Sequence, residues 1–270
     1  MAASSSALSA PRPTTKPPRT PSRSPRRGAR TSHHLTSAPI EHLHTNLART
    51  YTHIHPLVVC SIFAAQFPAI VADPVPALAT ALVPLGLAQT VYSVLCLPAA
   101  GTGAAAAAAG QEGAGGKGGK GVGKGRRKGG WSGKVVTSIL SLLLTTLLGI
   151  PLLTVLLILF GAPLTTHLPH TLLAAAHIAY LSGVPLVYTH GVDAPKWKEL
   201  IALMVPADEV FGAAVGTLVG AWAGAVPIPL DWDREWQKWP VTIVCGAYAG
   251  FAIGKFLGGV ALKGRVFAFN

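Results

Sequence analysis

Six long apolar stretches alternate with polar segments along the chain. A hydrocarbon core about 30 Å thick requires about 20 residues of α-helix, and each stretch approaches or exceeds that length. The first is the least apolar, because it contains His55, Gln66 and Pro68. The pattern predicts an all-α, multi-pass membrane protein with about six transmembrane helices, at residues 54–71, 75–97, 135–160, 168–188, 210–230 and 241–262.

Two polar segments lack the apolar residues that a packed core requires. Residues 1–50 are rich in Ser, Pro, Thr and Arg, and residues 98–133 consist largely of Gly, Ala and Lys. These compositions predict a disordered basic tail and a flexible cytosolic linker. The chain is therefore divided into the tail, a first pair of helices over 54–97, the linker, and four helices over 134–262.

Composition and charge support placement in a membrane. Half of the residues are hydrophobic and only 12% are charged, against roughly 25% in soluble domains. The mean hydropathy is +0.46. These values disfavour a soluble globular enzyme. The formal net charge of +12 would suit nucleic acid, but the basic residues concentrate in the tail and the linker, so we expect no nucleic-acid partner.

The distribution of basic residues also predicts an orientation. The tail, the linker and the C-terminal segment with Lys263 and Arg265 are all basic. An even number of crossings places these three segments on one side of the membrane, and basic segments favour the cytosol. The connections on the opposite side contain Arg234 and Lys238 as their only Lys or Arg residues. We therefore predict that both termini are cytosolic.

Glycines recur every four residues in the fifth and sixth apolar stretches. This spacing places them on one face of each helix, where the absence of side chains lets another backbone approach closely. We predict that the two faces pack against each other; docking onto another membrane protein and a pore are the alternatives. The helix-packing residues are Gly212, Gly216, Gly220, Gly224, Gly246, Gly250, Gly254 and Gly258.

The segment between these two stretches, PIPLDWDREWQKWP, is unusually rich in charged and aromatic residues. Tryptophan favours the membrane–water interface. Asp231, Asp233 and Glu235 could bind a divalent ion, since such cations prefer carboxylate oxygens. Arg234 and Lys238 oppose this interpretation by neutralising the acids, so we predict an interaction loop. Its candidate residues are Asp231, Trp232, Asp233, Arg234, Trp236 and Trp239.

Other polar residues offer little support for a metal or cofactor site. His167, His170 and His177 flank or enter the fourth stretch, but zinc would require a further ligand. The three cysteines lie singly within apolar stretches. We predict that the histidines form ordinary hydrogen bonds, and we assign no catalytic, metal or cofactor-binding residue.

Three ionisable residues lie in or next to the last two apolar stretches. Asp208 and Glu209 precede the fifth stretch, where acidic side chains favour the positive end of a helix dipole, so both are predicted to cap the helix. Lys255 is the only formal charge within an apolar stretch. Because it lies near the predicted cytosolic end, its side chain is expected to extend to the interface.

Two segments resemble the PIG-F family of glycosylphosphatidylinositol (GPI) anchor biosynthesis, in a fungal-like version. They are FGAPLTTHLPHTLLAAAHIAYL and VDAPKWKELIALMVPADEVFGAAVGTLVGAWAGAVPIPLDWDREWQKWPVT. The resemblance is strong over residues 134–260 and weak over the first two stretches. It implies a multi-pass protein of the endoplasmic reticulum that partners and stabilises ethanolamine phosphate transferases acting on GPI precursors. It assigns no catalytic residues.

The function predicted from the resemblance is that of a non-catalytic stabilising subunit. Its expected partners are a large membrane-bound transferase and the lipid bilayer; a contact with the GPI precursor lipid is left open. One alternative is a transporter of lipids or small solutes, disfavoured because no buried charge pair or broken helix is expected at the midplane. Another is an integral membrane phosphotransferase that uses Asp231, Asp233 and Glu235 and depends on a divalent metal.

Overall fold

The computed structural model describes residues 38–101, 130–230 and 232–267. All regular secondary structure in these ranges is helical, and the all-α, multi-pass prediction is confirmed. Residues 1–37 of the predicted tail, residues 102–129 of the predicted linker, and Asp231 lie outside the described residues. What the sequence predicts for them stays a prediction.

Eight α-helices follow one another in the described ranges. Two π-helical segments interrupt or extend them, at Thr145–Gly149 and Leu257–Ala261, and a short 3₁₀ turn spans Glu235–Gln237. The α-helices are α1 (Asn46–Ala72), α2 (Pro74–Cys96), α3 (Trp131–Leu144), α4 (Ile150–Leu159), α5 (Leu168–His190), α6 (Ala194–Ile201), α7 (Glu209–Ala223) and α8 (Val241–Phe256).

Within the described ranges, five helical segments are long and apolar enough to cross a membrane. They are α1, α2, the continuous helix Trp131–Leu159, α5, and Val241–Ala261. The remaining predicted crossing is shorter than expected, because α7 ends at Ala223 rather than at residue 230. After Ala223 the chain forms successive turns, in which the Ile228 N–H donates to the Ala225 carbonyl, and Pro227 and Pro229 have no N–H group to donate to a continued helix. The 15 residues of α7 span about 22 Å.

Helix α1 begins at Asn46, well before the predicted start at residue 54. Thr45 caps it, because its side-chain oxygen accepts a hydrogen bond from the Ala48 N–H at 3.1 Å. Pro56 and Pro68 lie inside the helix without ending it. The 27 residues of α1 are about 40 Å long, which exceeds a hydrocarbon core of about 30 Å.

The helix Trp131–Leu159 turns its polar residues towards the protein. Ser138, Ser141, Thr145 and Thr154 are buried, whereas most of its leucines are exposed. Thr154 donates a hydrogen bond within the helix, to the Ile150 carbonyl at 2.8 Å. Small hydroxyl side chains therefore face the bundle, where Ser138 donates to the Thr90 carbonyl of α2 at 3.4 Å and Thr146 bonds to the Tyr180 hydroxyl of α5 at 2.9 Å. Most of the apolar side chains face outwards. This arrangement suits a helix whose surroundings are lipid.

Helix α5 is central in the bundle. It contacts α2, α3, α4, α7 and α8. Its buried residues Ala174, Ile178, Leu181 and Val184 belong to the larger apolar core. Because α5 is surrounded by other helices, it positions the elements on which the candidate site is built.

Candidate functional site

A buried ion pair joins α7 to α8 at the end of the bundle where α1 begins. Lys255 is only 4% exposed, and its Nζ lies 3.0 Å from Glu209 Oε2. The same ammonium group donates a hydrogen bond to the Tyr92 hydroxyl at 2.6 Å and lies 3.9 Å from the centroid of the Tyr92 ring. The prediction that Lys255 extends to the interface is wrong, because its charge is neutralised inside the protein.

Two histidines complete this cluster. His42 Nε2 lies 3.2 Å from Glu209 Oε2 and 3.2 Å from the Tyr92 hydroxyl. The ring of His55 stacks on Tyr92, with centroids 4.1 Å apart. We call Glu209, Lys255, Tyr92, His42 and His55 the ionic cluster. It connects the segment before α1 with α1, α2, α7 and α8.

Asp208 positions Glu209 by capping α7, as the sequence predicts. Its Oδ1 accepts hydrogen bonds from the N–H groups of Val210 and Phe211 at 2.9 and 2.8 Å. Its Oδ2 accepts another from the Ile40 N–H at 3.1 Å. Burial raises the pKa of the Asp208 carboxyl, and these hydrogen bonds oppose that rise. The capping prediction is wrong for Glu209, whose carboxylate pairs with Lys255 instead.

The glycine faces of α7 and α8 lie directly against each other. A Cβ atom added to Gly216 would overlap the carbonyl oxygen of Gly250 and would lie 2.7 Å from the Gly254 Cα. Gly212, Gly220, Gly246 and Gly258 also contact glycine backbone of the other element, and Gly224 contacts the backbone of Thr242, Ile243 and Gly246. In the structure these glycines make an intramolecular contact between backbones.

The loop between α7 and α8 exposes two of its tryptophans. Trp232 and Trp236 are 52% and 37% exposed, and their rings meet edge to face with centroids 5.7 Å apart. Trp239 is half-buried and packs against the apolar core. The loop therefore presents an aromatic pair outwards and is anchored by a third ring.

Hydrogen bonds tie this loop to the rest of the bundle. The Lys238 ammonium donates to the Ala72 carbonyl at 3.2 Å and pairs with Glu235 at 3.4 Å. Gln237 Nε2 donates to the carbonyls of Pro227 and Leu230. The Lys238–Ala72 hydrogen bond joins the loop to the C-terminal end of α1, and the other contacts hold the loop together internally.

The charged candidates of the loop do not form a metal centre with their described neighbours. Asp233 and Arg234 are exposed, and Asp231 lies outside the described residues. Over residues 38–101, 130–230 and 232–267, no group of three His, Cys, Asp or Glu side chains could hold a metal ion. What these described residues offer is an exposed surface of charges and rings.

The three histidines of the fourth stretch have separate environments. His177 is buried, and its Nε2 donates to the Leu78 carbonyl at 3.1 Å. Its Nδ1 then accepts from the Tyr248 hydroxyl at 2.8 Å, because a neutral imidazole has one donor and one acceptor. His167 and His170 lie with ring centroids 5.0 Å apart near the start of α5. The structure thus brings two of the histidines together, and the third joins α5 to α2 and α8 through hydrogen bonds.

Sequence reasoning missed the ionic cluster, although one signal was available. A charge within a membrane helix is costly and nearly always has a partner, which applies to Lys255. Glu209 is an acidic residue at the matching end of the adjacent helix. The Glu209–Lys255 pair lies towards one end of the bundle, so it does not test the expectation, used against the transporter alternative, that no buried charge pair lies at the midplane. Nothing in the local sequence indicates that Tyr92 and His42 join this pair.

Together these features define the class of protein: an all-α, multi-pass membrane protein in which a glycine contact and a buried ion pair hold the last two apolar helices together. A protein-family sequence model, described as "GPI biosynthesis protein family Pig-F", matches residues 54–259 of the chain. The chain belongs to this family, as its sequence motifs indicate. Membership assigns the protein to GPI-anchor biosynthesis.

Similar fungal proteins extend the comparison over most of the chain. "Glycosylphosphatidylinositol anchor biosynthesis protein 11" of Neurospora crassa is 42% identical over 234 residues, covering 86% of this chain and 82% of the relative. The protein of that name in Aspergillus fumigatus is 44% identical, covering 82% of each chain. A "PIGF/3-ketodihydrosphingosine reductase fusion protein" of Schizosaccharomyces pombe is 38% identical over 42% of this chain and 23% of its own. No solved structure gives a significant match.

Proposed function

We propose that the protein is a non-catalytic stabilising subunit of the ethanolamine phosphate transferase that modifies GPI-anchor precursors in the endoplasmic reticulum. The large membrane-bound transferase supplies the chemistry, and this chain supplies a surface that holds it. The observation that carries the proposal is the exposed Trp232–Trp236 pair on an anchored loop. The family places the protein in the matching biosynthetic process.

Two physical properties make this loop a suitable docking surface. Tryptophan is enriched among the few interface residues that contribute most of a binding free energy. An anchored loop also loses little conformational entropy when a partner binds, because it is ordered beforehand. A simple membrane anchor would use the same rings at the headgroup level without binding a protein. Removing the rings distinguishes the two roles.

We expect Trp232→Ala and Trp236→Ala each to reduce recovery of the transferase with this protein. Loss of an interface tryptophan costs about 2 kcal/mol or more, which corresponds to roughly a 30-fold weaker affinity. The measurement is the amount of transferase that co-purifies in mild detergent, together with the activity per molecule of surviving complex. That specific activity should be unchanged.

Trp222→Ala is the matched control, because Trp222 is an exposed tryptophan on α7 outside the loop. It should leave transferase recovery at the wild-type level. If Trp222→Ala reduces recovery as much as Trp232→Ala does, the rings act by anchoring the chain in the membrane. The proposal that the loop binds the transferase would then be wrong.

Substitution of the acidic residues in the loop distinguishes a non-catalytic subunit from an enzyme. Asp231→Asn and Asp233→Asn remove a charged oxygen ligand and retain the shape of the side chain. A catalytic metal site would lose turnover by orders of magnitude while the complex stayed assembled. We expect both variants to retain turnover. An assembled complex without turnover would place the chemistry in this chain.

A second candidate function is transport of a lipid or small solute. The Glu209–Lys255 pair favours it, since ionisable residues within membrane helices commonly mark substrate or ion pathways. Transporter sites lie near the bilayer midplane. Glu209 instead begins α7, so the pair lies towards one end of the bundle. The stabilising subunit therefore remains the preferred function, and solute flux into liposomes that contain the purified protein tests the alternative.

We also propose that the basic end of the bundle faces the cytosol. Backbone hydrogen bonds join Leu43 to Cys96 at 2.9 Å, Ala100 to Tyr188 at 2.8 Å and Ala207 to Arg265 at 2.8 Å, so these segments share one end. Basic residues near membrane helices favour the cytosolic side. The tryptophan loop then faces the lumen.

Protease accessibility in intact microsomes tests this orientation. Tags at residue 20, within residues 110–125 and at residue 270 should all be cleaved. A glycosylation sequon introduced near Thr166 should be modified, since that connection would face the lumen. Cleavage of both terminal tags with protection of the middle tag would contradict the arrangement.

A further inference from the structure

A basic cavity opens beside the start of α1, at the opposite end of the bundle from the tryptophan loop. Its volume is about 280 Å³, and its charged or titratable wall residues are Glu41, His42, His44, Arg49, His53, Glu209 and Lys263. Arg49, His53 and Lys263 are exposed, whereas His42 and Glu209 lie deeper. The cavity therefore leads from a basic mouth towards the ionic cluster.

The depth of this cavity in the membrane follows from the length of α1. The helix exceeds a hydrocarbon core of about 30 Å by about 10 Å, or about seven residues. Its C-terminal part is apolar up to Ala72, whereas its first two turns contain Arg49, Thr52 and His53. The excess length thus lies at the N-terminal end, and the cavity lies at the level of the lipid headgroups.

One face of α1 extends from the cavity towards the hydrocarbon core. Arg49, His53 and Leu57 are spaced four residues apart, so they lie above one another on the same side of the helix. Leu57 is 68% exposed. A basic mouth therefore lies directly above an apolar position that faces lipid. A phospholipid has the matching arrangement, with a phosphate above its acyl chains.

The charge balance of the cavity favours an anion. Glu209 is neutralised by Lys255 at 3.0 Å and contacts His42 at 3.2 Å. Glu41 also lines the cavity; it is exposed, and its carboxylate lies 3.9 Å from His44. In the described part of the chain Arg49 and Lys263 form no ion pair, so two cations at the mouth outnumber this one acid. Their positive charges are therefore free to attract a negatively charged group at the mouth.

We propose that this cavity binds the headgroup of an anionic phospholipid. Arg49 and Lys263 contact the phosphate, and the acyl chains lie along α1 at Leu57. The proposal goes beyond the stabilising function, because the cavity and the docking loop lie at opposite ends of the bundle. Loss of lipid binding and loss of transferase binding are therefore separate outcomes.

Native mass spectrometry of the full-length protein in detergent tests the proposal. The probes are phosphatidylserine, phosphatidylcholine and inorganic phosphate, each titrated separately. We expect phosphatidylserine to bind at roughly tenfold lower concentration than phosphatidylcholine, since each basic residue near a membrane surface favours anionic lipid. The double variant Arg49→Gln/Lys263→Gln should lose this preference, and Arg49→Lys/Lys263→Arg should keep it.

Lys196→Gln/Lys198→Gln is the matched control, because it removes the same charge from α6 outside the cavity. It should keep the preference for phosphatidylserine. The proposal would be overturned if both glutamine double variants lost the preference for phosphatidylserine equally, or if the wild-type protein bound phosphatidylserine and phosphatidylcholine alike. Displacement of phosphatidylserine by inorganic phosphate would overturn the lipid assignment in favour of a soluble phosphate ligand. Thermal unfolding of each variant should match the wild type, since both substituted cavity residues are exposed.

Discussion

Replacing Gly216 or Gly250 with leucine should strongly reduce the amount of folded protein. Each glycine faces the backbone of the opposite helix, so no change of rotamer can make room for a side chain. Overpacking of a close contact costs about 1–3 kcal/mol and occasionally more, out of a total stability of about 5–15 kcal/mol. The measurement is the yield and unfolding temperature of the detergent-solubilised protein.

Gly133→Leu is the matched control for these variants. Gly133 is also in a helix, but a Cβ atom there would meet no other atom within 4 Å. The control should have near wild-type yield. The sequence alone predicts that Phe251 faces lipid, but it is 1% exposed and its ring meets that of His55 edge to face, so it is no control. Equal damage from Gly133→Leu and Gly216→Leu would refute the importance of the backbone contact.

Lys255→Met should be the most damaging single change in the ionic cluster. It removes the ammonium group that pairs with Glu209 and leaves His42, at 3.2 Å, as the remaining ion-pair partner of that carboxylate. Breaking a buried pair by removing one partner costs about 3–5 kcal/mol, and we expect a loss at the lower end of this range, because Glu209 keeps His42 and lines the cavity. Thermal unfolding in detergent measures the loss. Because the cluster lies away from the tryptophan loop, the transferase bound per folded molecule should stay unchanged.

The double variant Lys255→Met/Glu209→Gln should recover much of this stability. Removing both charges leaves no uncompensated ion, and the coupling between the two sites appears as non-additivity in a double-mutant cycle. Lys196→Met is the control, because Lys196 pairs with Glu199 at 3.1 Å where both side chains are about a third exposed, and such a salt bridge contributes about 0–1 kcal/mol. If Lys196→Met and Lys255→Met are equally destabilising, burial adds nothing to the contribution of the Glu209–Lys255 pair.

The sequence by itself determined the class of protein. A backbone surrounded by lipid must satisfy its hydrogen bonds internally, so a long apolar stretch predicts a helix with little ambiguity. The predicted stretches begin at residues 75, 168 and 241, and α2, α5 and α8 begin within one residue of these positions. The family could also be recognised from sequence, because its motifs are distinctive and cover much of the chain.

Hydropathy was less informative at two helix ends. The first turns of α1 are polar, and a helix that extends beyond the hydrocarbon core leaves no apolar signal. The segment after Ala223 remains apolar, but Pro227 and Pro229 remove two helical hydrogen bonds within three residues, and the chain forms turns there instead. Backbone chemistry therefore overrides hydropathy at the end of α7, and a side-chain cap at Thr45 sets the start of α1.

Only the tertiary structure decided which way Lys255 faces. A lysine near the end of a membrane helix can extend to water or pair inside the protein, and its neighbours in sequence do not distinguish these outcomes. The contact of Gly254 with α7 sets the rotation of α8, and with it the direction of the next residue, Lys255. Tyr92, 163 residues away, then completes the site. Such a cluster depends on the packing of distant helices, which a local sequence pattern does not specify.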